Sequence, residues 1–145
     1  MTIVMDKVDL TAFLDRDFPQ VANDLAVDEV TEDGLILRLK VQEAHLRPGG
    51  TVSGPTMFGL ADVGIYLAIL SRIGPVALAV TTNASIDFMR KPQAGTDVLA
   101  KCRLLKLGKT LAVADALLYS VGMADPVART SMTYAIPPVR PEQGA

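Results

Sequence analysis

The segment Pro55–Gly74, PTMFGLADVGIYLAILSRIG, is apolar on nearly every helical face yet carries one carboxylate, Asp62, near its middle. A helix that is apolar all round is a buried helix. The run Met57–Leu70 is too short to span a bilayer, and Asp62 interrupts it. Ser53 suits the N-cap, Pro55 the first turn, and Gly74-Pro75 the stop, so a helix is predicted from Pro55 to Ile73. Any fold open to this chain must surround that helix. A buried carboxylate is costly unless it is hydrogen-bonded, paired or protonated, which makes Asp62 the leading candidate for chemistry.

The remaining pattern supplies the wrapping. Asp9 is read as the cap of a short helix over 9–18, with Leu10, Phe13 and Leu14 on one face and Pro19 ending it. From Gly34 the sequence LILRLKV alternates as a half-buried strand. The stretch HLRPGGTVSGP is an irregular loop leading into the helix. Strands follow at Val76–Arg90, Val98–Leu107, Leu111–Ser120 and Val127–Ile136. In the first of these, Ala84, Ile86 and Phe88 lie opposite Asn83, Ser85 and Asp87. A frayed tail is expected over 137–145. Consecutive strands with short loops pair antiparallel, so the fold class is α+β, a curved antiparallel sheet around one long helix. Four or five strands leave part of the helix and one sheet edge uncovered, and self-association would cover both.

Composition narrows the function. The 145 residues suit a single domain over 1–145, and half of them are apolar, which argues against disorder. Net charge is −2 with no basic stripe, so a nucleic-acid partner is not expected. One histidine, His45, excludes a multi-histidine metal site, and no metal is expected. The lone Cys102 reads as a core residue of a strand. The N-terminal MTIVMDKVDL is neither basic nor followed by a long apolar run. A cytoplasmic protein without a membrane partner is expected.

Three stretches resemble a known family: the loop and helix GGTVSGPTMFGLAD (Gly49–Asp62), the strand AVTTNASIDFMRKPQAG (Ala79–Gly95), and the strand–hairpin–strand end. Together they resemble the hotdog-fold acyl-CoA thioesterases, closest to the branch related to phenylacetate-pathway thioesterases. The family loop reads G-x-x-H-G-G, then six residues, then an acidic residue. Gly50, Gly54 and Asp62 fall on matching positions, and Phe88, Arg90, Lys91 and Pro92 follow the family's strand ending. The chain departs where His-Gly-Gly becomes Ser53-Gly54-Pro55, and where Arg47 replaces a polar amide residue.

The resemblance implies hydrolysis of an acyl-CoA thioester, with Asp62 as nucleophile or base and the Gly54 N–H as oxyanion donor. A helix N-terminal amide suits developing negative charge, and Pro55 has no N–H to add. Thr81, or its neighbours Thr82 and Asn83, falls where the family places a polar residue, expected from the subunit opposite Asp62. Arg90, Lys91, Lys106 and Lys109 are candidates to hold the coenzyme A phosphates, and Ser53, if not only an N-cap, contacts substrate. Gly59 and Gly64 suggest close packing of the helix, and Met57, Phe58 and Tyr66 are candidate acyl-pocket residues. No cofactor is implied beyond coenzyme A as part of the substrate. The implied assembly is a homodimer or a homotetramer built as a dimer of dimers. Two alternatives stand beside this: a non-catalytic acyl-CoA-binding hotdog dimer, and a hotdog hydratase or dehydratase using His45.

Overall fold

A computed structural model describes residues 2–138; the tail expected over 137–145 therefore lies mostly outside the described residues. Six antiparallel strands form one sheet: β1 (Leu25–Val30), β2 (Gly34–Leu39), β3 (Val80–Phe88), β4 (Val98–Leu107), β5 (Leu111–Ser120) and β6 (Ala128–Ala135). Their spatial order is β1-β2-β4-β5-β6-β3, which makes β3 and β1 the edges. The long helix, here α3 (Gly54–Ile73), lies against this sheet with contacts to all six strands. This is the hotdog fold.

Residues Leu60, Ala61, Ile65, Leu67, Ala68, Ile69 and Leu70 of α3 are each at most 3% exposed. α3 is long and apolar enough to cross a membrane, yet 67% of its most apolar window is buried inside the fold. Gly64 sets the approach to β4, since a Cβ there would stand 2.7 Å from the Cys102 sulfur. Gly59 does not share that role, because a Cβ there would meet nothing within 4 Å. Pro55, Phe58, Gly59, Asp62 and Val63 form a stripe that stays partly open. The helix is thus wrapped on most of its circumference, and Asp62 sits on the remainder.

Three expectations about elements change. The first helix, α1, runs Lys7–Asp17 and is capped by Asp6, not Asp9. Asp9 is its N3 residue, and the two carboxylates bond each other's backbone N–H at 2.9 and 3.1 Å in a capping box. Pro19 does not merely end this helix but opens a further short turn, α2 (Pro19–Ala22). The strand expected from Val76 begins at Val80, because Ala79 N–H bonds the Val76 carbonyl in a turn. The strand β1 was not anticipated. Its sequence LAVDEV places Asp28 and Glu29 together, and a bulge between Val27 and Glu29 breaks the period-2 pattern.

One buried cation ties the layers together. Arg72, at the end of α3, is 7% exposed and donates to the carbonyls of Gly34, Thr31 and Glu32 and to the Ser71 hydroxyl. It thereby pairs the carbonyls of the β1–β2 turn with a group from the helix. Losing it would strand several carbonyls, each costing about 1–3 kcal/mol if left unpaired. Arg72→Met is expected to destabilise the fold by about 3 kcal/mol or more. A urea titration should show a lower midpoint at unchanged slope.

Candidate functional site

Asp62 is half-buried and lines a cleft of ≈ 500 Å³. Two hydroxyls reach the same carboxylate oxygen: Thr81 Oγ1 and Tyr134 Oη each donate to Asp62 Oδ1 at 2.6 Å. Tyr134 Oη also lies 2.9 Å from the Asp62 main-chain carbonyl. No donor among the described residues reaches Oδ2. Bonds to an ionised acceptor are among the strongest available to a side chain. The apolar helix therefore tolerates its carboxylate through two hydroxyls on one oxygen and partial exposure on the other side.

Local backbone geometry aims Thr81. Along β3, Ala84, Ile86 and Phe88 pair with Met132, Thr130 and Ala128 of β6, whose side chains are buried. Strict alternation from these positions would turn Thr82 inward and Thr81 outward. Instead the register shifts between Thr81 and Asn83, so Thr82 is the extra residue of a β-bulge. Thr81 pairs with Tyr134 and faces Asp62 with it. Thr82 bonds the Thr133 carbonyl. Asn83 falls on the outer face and does not line this cleft.

The expectation that Asp62 and the Thr81 region come from different subunits is corrected: one chain supplies both, because β3 lies beside α3 at this end of the sheet. Tyr134 was not singled out from the sequence. Its only signal was a tyrosine at an inward position of the last strand, which reads equally as core. Burial and the Asp62 carboxylate push its hydroxyl well above the ordinary tyrosine range, so it stays a donor. The cleft wall continues through Tyr66, whose ring centroid lies 6.2 Å from that of Tyr134 and from that of Phe18. Burial raises the Tyr66 hydroxyl to about 12, and it donates to the Ala77 carbonyl at 2.9 Å. Met57 and Phe58 do not line this cleft.

Gly54 lies at the other end of β3. A Cβ on it would meet the Phe88 ring at 3.2 Å, so only glycine leaves that ring in place. No hydrogen bond to a described residue engages its N–H, as befits the first turn of a helix. Ser53 is the N-cap: its Oγ accepts from Thr56 N at 3.3 Å and donates to Thr56 Oγ1 at 2.9 Å. A second cleft, ≈ 430 Å³, is lined here by Arg47, Gly54, Met57, Phe88, Arg90 and Lys91. Arg90 already donates to the Pro126 carbonyl at 2.7 Å. Lys109, in the β4–β5 hairpin, lies at the Val80 end of the sheet, since Leu111 and Val80 both pair with Ala135. The structure thus separates Lys109 from Arg90 and Lys91 within one chain.

Other reactive groups lie apart. His45 Nδ1 accepts from Gln42 N at 2.8 Å while Nε2 lies 3.3 Å from Asp24, and His45 lines neither cleft. No cluster of His, Cys, Asp or Glu among the described residues is placed to hold a metal ion. A further hollow, ≈ 770 Å³, lies away from Asp62 across the sheet, and its arginines Arg103 and Arg129 are paired with Asp115 and Asp87.

A half-buried carboxylate in a cleft beside a central helix, on a hotdog scaffold, defines a class of thioester-processing domains. A family model described as the Thioesterase superfamily matches residues 49–127, and the chain belongs to that superfamily. A crystal structure of a candidate thioesterase from Silicibacter sp. TM1040 is 58% identical, with a TM-score of 0.90, covering 95% of this chain and 96% of that one. A candidate esterase of Pseudomonas aeruginosa is 34% identical over 59% of this chain, an alignment that spans 64% of that relative's own length. Human acyl-coenzyme A thioesterase 13 is 29% identical over 67% of this chain and 69% of its own.

Cys102 is buried, and burial pushes its thiol far above the usual range. A disulfide reagent is expected to leave it unmodified in the native protein and to titrate one thiol only after unfolding. Cys102→Ala is expected to leave the Asp62 cleft and any activity intact, as steady-state assays would show.

Proposed function

We propose that this protein hydrolyses acyl-coenzyme A thioesters in the cytoplasm. The observation that carries this reading is Asp62, fixed at Oδ1 and open at Oδ2 in a cleft beside aromatic rings, in a member of the thioesterase superfamily. The free oxygen either attacks the thioester carbonyl or removes a proton from the water that does. The tetrahedral intermediate then collapses with coenzyme A leaving as its thiolate. Attack by water yields the free acid directly, whereas attack by Asp62 leaves an acyl–Asp62 anhydride that a water molecule hydrolyses to the free acid, regenerating the carboxylate. The name of the human relative supports an acyl-CoA substrate. No cofactor enters the reaction, since coenzyme A arrives as part of the substrate.

The oxyanion donor comes from a second copy. Gly54 and Asp62 lie eight positions apart on one helix, about 12 Å at 1.5 Å per residue. A reacting carbonyl needs both groups within about 3 Å of its atoms, so one chain's pair cannot serve one substrate. β3 offers the way to combine them. It is an edge strand whose residues are all exposed or half-exposed, with no lysine or proline to blunt it. Antiparallel pairing of two β3 strands about Ala84 sets Val80 of one copy opposite Phe88 of the other. The Gly54 end of each chain then meets the Asp62 end of its partner, beside the open stripe of α3. The same pairing brings Arg90 and Lys91 of one copy toward Lys109 of the other, assembling a basic rim for the coenzyme A phosphates. Ser53 and Asn83 contribute at the margins of this composite site. A dimer of such dimers would cover Leu105 and Leu117, which are 53% and 41% exposed.

The test is a panel of arylacetyl, short-chain and medium-chain acyl-CoA thioesters, with release of the coenzyme A thiol as readout. Wild type should turn over at least one. Asp62→Asn should lose roughly a thousandfold in kcat with little change in KM, because the amide keeps the shape but not the basic oxygen. Gly54→Ala should also be nearly inactive. Randomly mixed Asp62→Asn and Gly54→Ala chains should recover about a quarter of wild-type activity, since each mixed dimer holds one intact site of two. Tight acyl-CoA binding without turnover by wild type would instead establish the non-catalytic reading.

A further inference from the structure

Tyr134 touches Asp62 more intimately than any residue the sequence pointed to. Its hydroxyl carries one proton, shared between Asp62 Oδ1 at 2.6 Å and the main-chain carbonyl of the same residue at 2.9 Å. That double contact ties the carboxylate to its own backbone and opposes rotation about χ1. Thr81 adds the second proton on Oδ1 at 2.6 Å. Tyr134 is itself held firmly: it is 3% exposed, and its ring stacks on Tyr66 at an interplanar angle of 28°. Tyr66 in turn is anchored to the Ala77 carbonyl. The chain of support therefore runs from the cleft wall through two rings to one carboxylate oxygen.

We propose that Tyr134 is a positioning residue that, with Thr81, pins Asp62 Oδ1 so that Oδ2 alone is presented to the substrate. This rests on the reading of Asp62 as the group that attacks or activates water. A carboxylate free to rotate offers either oxygen in many orientations. One clamped at a single oxygen meets the reacting carbonyl already aligned, and such alignment is a large part of what an enzyme contributes. Tyr134 is not a proton source for the departing thiolate. Its hydroxyl is shielded by the Asp62 carboxylate it serves, and deprotonation would set two negative charges side by side.

The experiment compares wild type, Tyr134→Phe, Thr81→Val and Thr81→Ser in two readouts. The first is the carboxyl carbon resonance of Asp62 at neutral pH in aspartate-labelled protein, assigned by its loss in Asp62→Asn. The second is the split between kcat and KM on the best thioester of the panel. Tyr134→Phe keeps the ring stack and should fold. Its Asp62 carboxyl resonance should move from the wild-type position, because a lost donor changes the hydrogen bonding at Oδ1. Its kcat should fall about 10- to 100-fold with KM within about twofold. Thr81→Val should behave similarly, whereas Thr81→Ser, which restores the hydroxyl, should stay near wild type. If Tyr134→Phe does not fold, 3-fluorotyrosine at position 134 preserves shape with a stronger donor and should likewise move the Asp62 resonance.

An unmoved Asp62 resonance in either folded position-134 variant overturns the proposal. The two readings fail separately. Turnover by wild type with an unmoved resonance removes the clamp and leaves hydrolysis standing. A shifted resonance with no thioester turned over by wild type upholds the clamp and removes hydrolysis.

Discussion

Almost everything in this molecule follows from the need to keep α3 out of water. A helix that is apolar over nearly its whole circumference cannot rest on a flat sheet, because one flat face would cover only one stripe of it. The six strands therefore curve around it, and the packing rows of β2, β4, β5 and β6 converge on it from different directions. Gly64 allows β4 to approach as far as Cys102, and Arg72 closes the far end by binding the β1–β2 turn. The sheet runs out before the circle is complete. The uncovered stripe is where the one carboxylate sits.

That arrangement explains how a costly group is tolerated. Among the described residues Asp62 has no ion-pair partner, and it is not sealed away. It is stabilised by hydroxyls from two strands that are neighbours in the sheet but far apart in sequence. The hydroxyls need no counter-charge, so the carboxylate keeps its own charge available. A salt bridge in the same place would have neutralised it and obstructed the cleft.

Much of this was legible in the chain. The helix ends were written in Ser53, Pro55 and Gly74, and five of the six strands could be read from the sequence. The hotdog fold was legible because Gly49–Asp62 and Ala79–Gly95 carry a local pattern of their own. What was not legible shares one cause. β1 hides behind a bulge that breaks its period, and the inward turn of Thr81 depends on another bulge at Thr82. Tyr134 meets Asp62 only through the register of β6 against β3. Bulges and register are set by pairing between strands, and a single strand's sequence does not record its partner's alignment. The separation of Lys109 from Arg90 and Lys91 belongs to the same class, since it is fixed by which ends of the strands lie together.

The bulge at Thr82 also bears on how related chains are to be compared. It acts as a parity switch within one strand. Positions after it follow the hydrophobic rhythm of the core, and positions before it follow the opposite rhythm. A relative that lost one residue here would keep its core unchanged yet turn a different side chain toward the carboxylate. In such a chain the hydroxyl equivalent to that of Thr81 would stand one column away in any alignment made by residue order alone. Equivalence at this site is a property of strand pairing, and relatives are best matched there by which residue faces the helix.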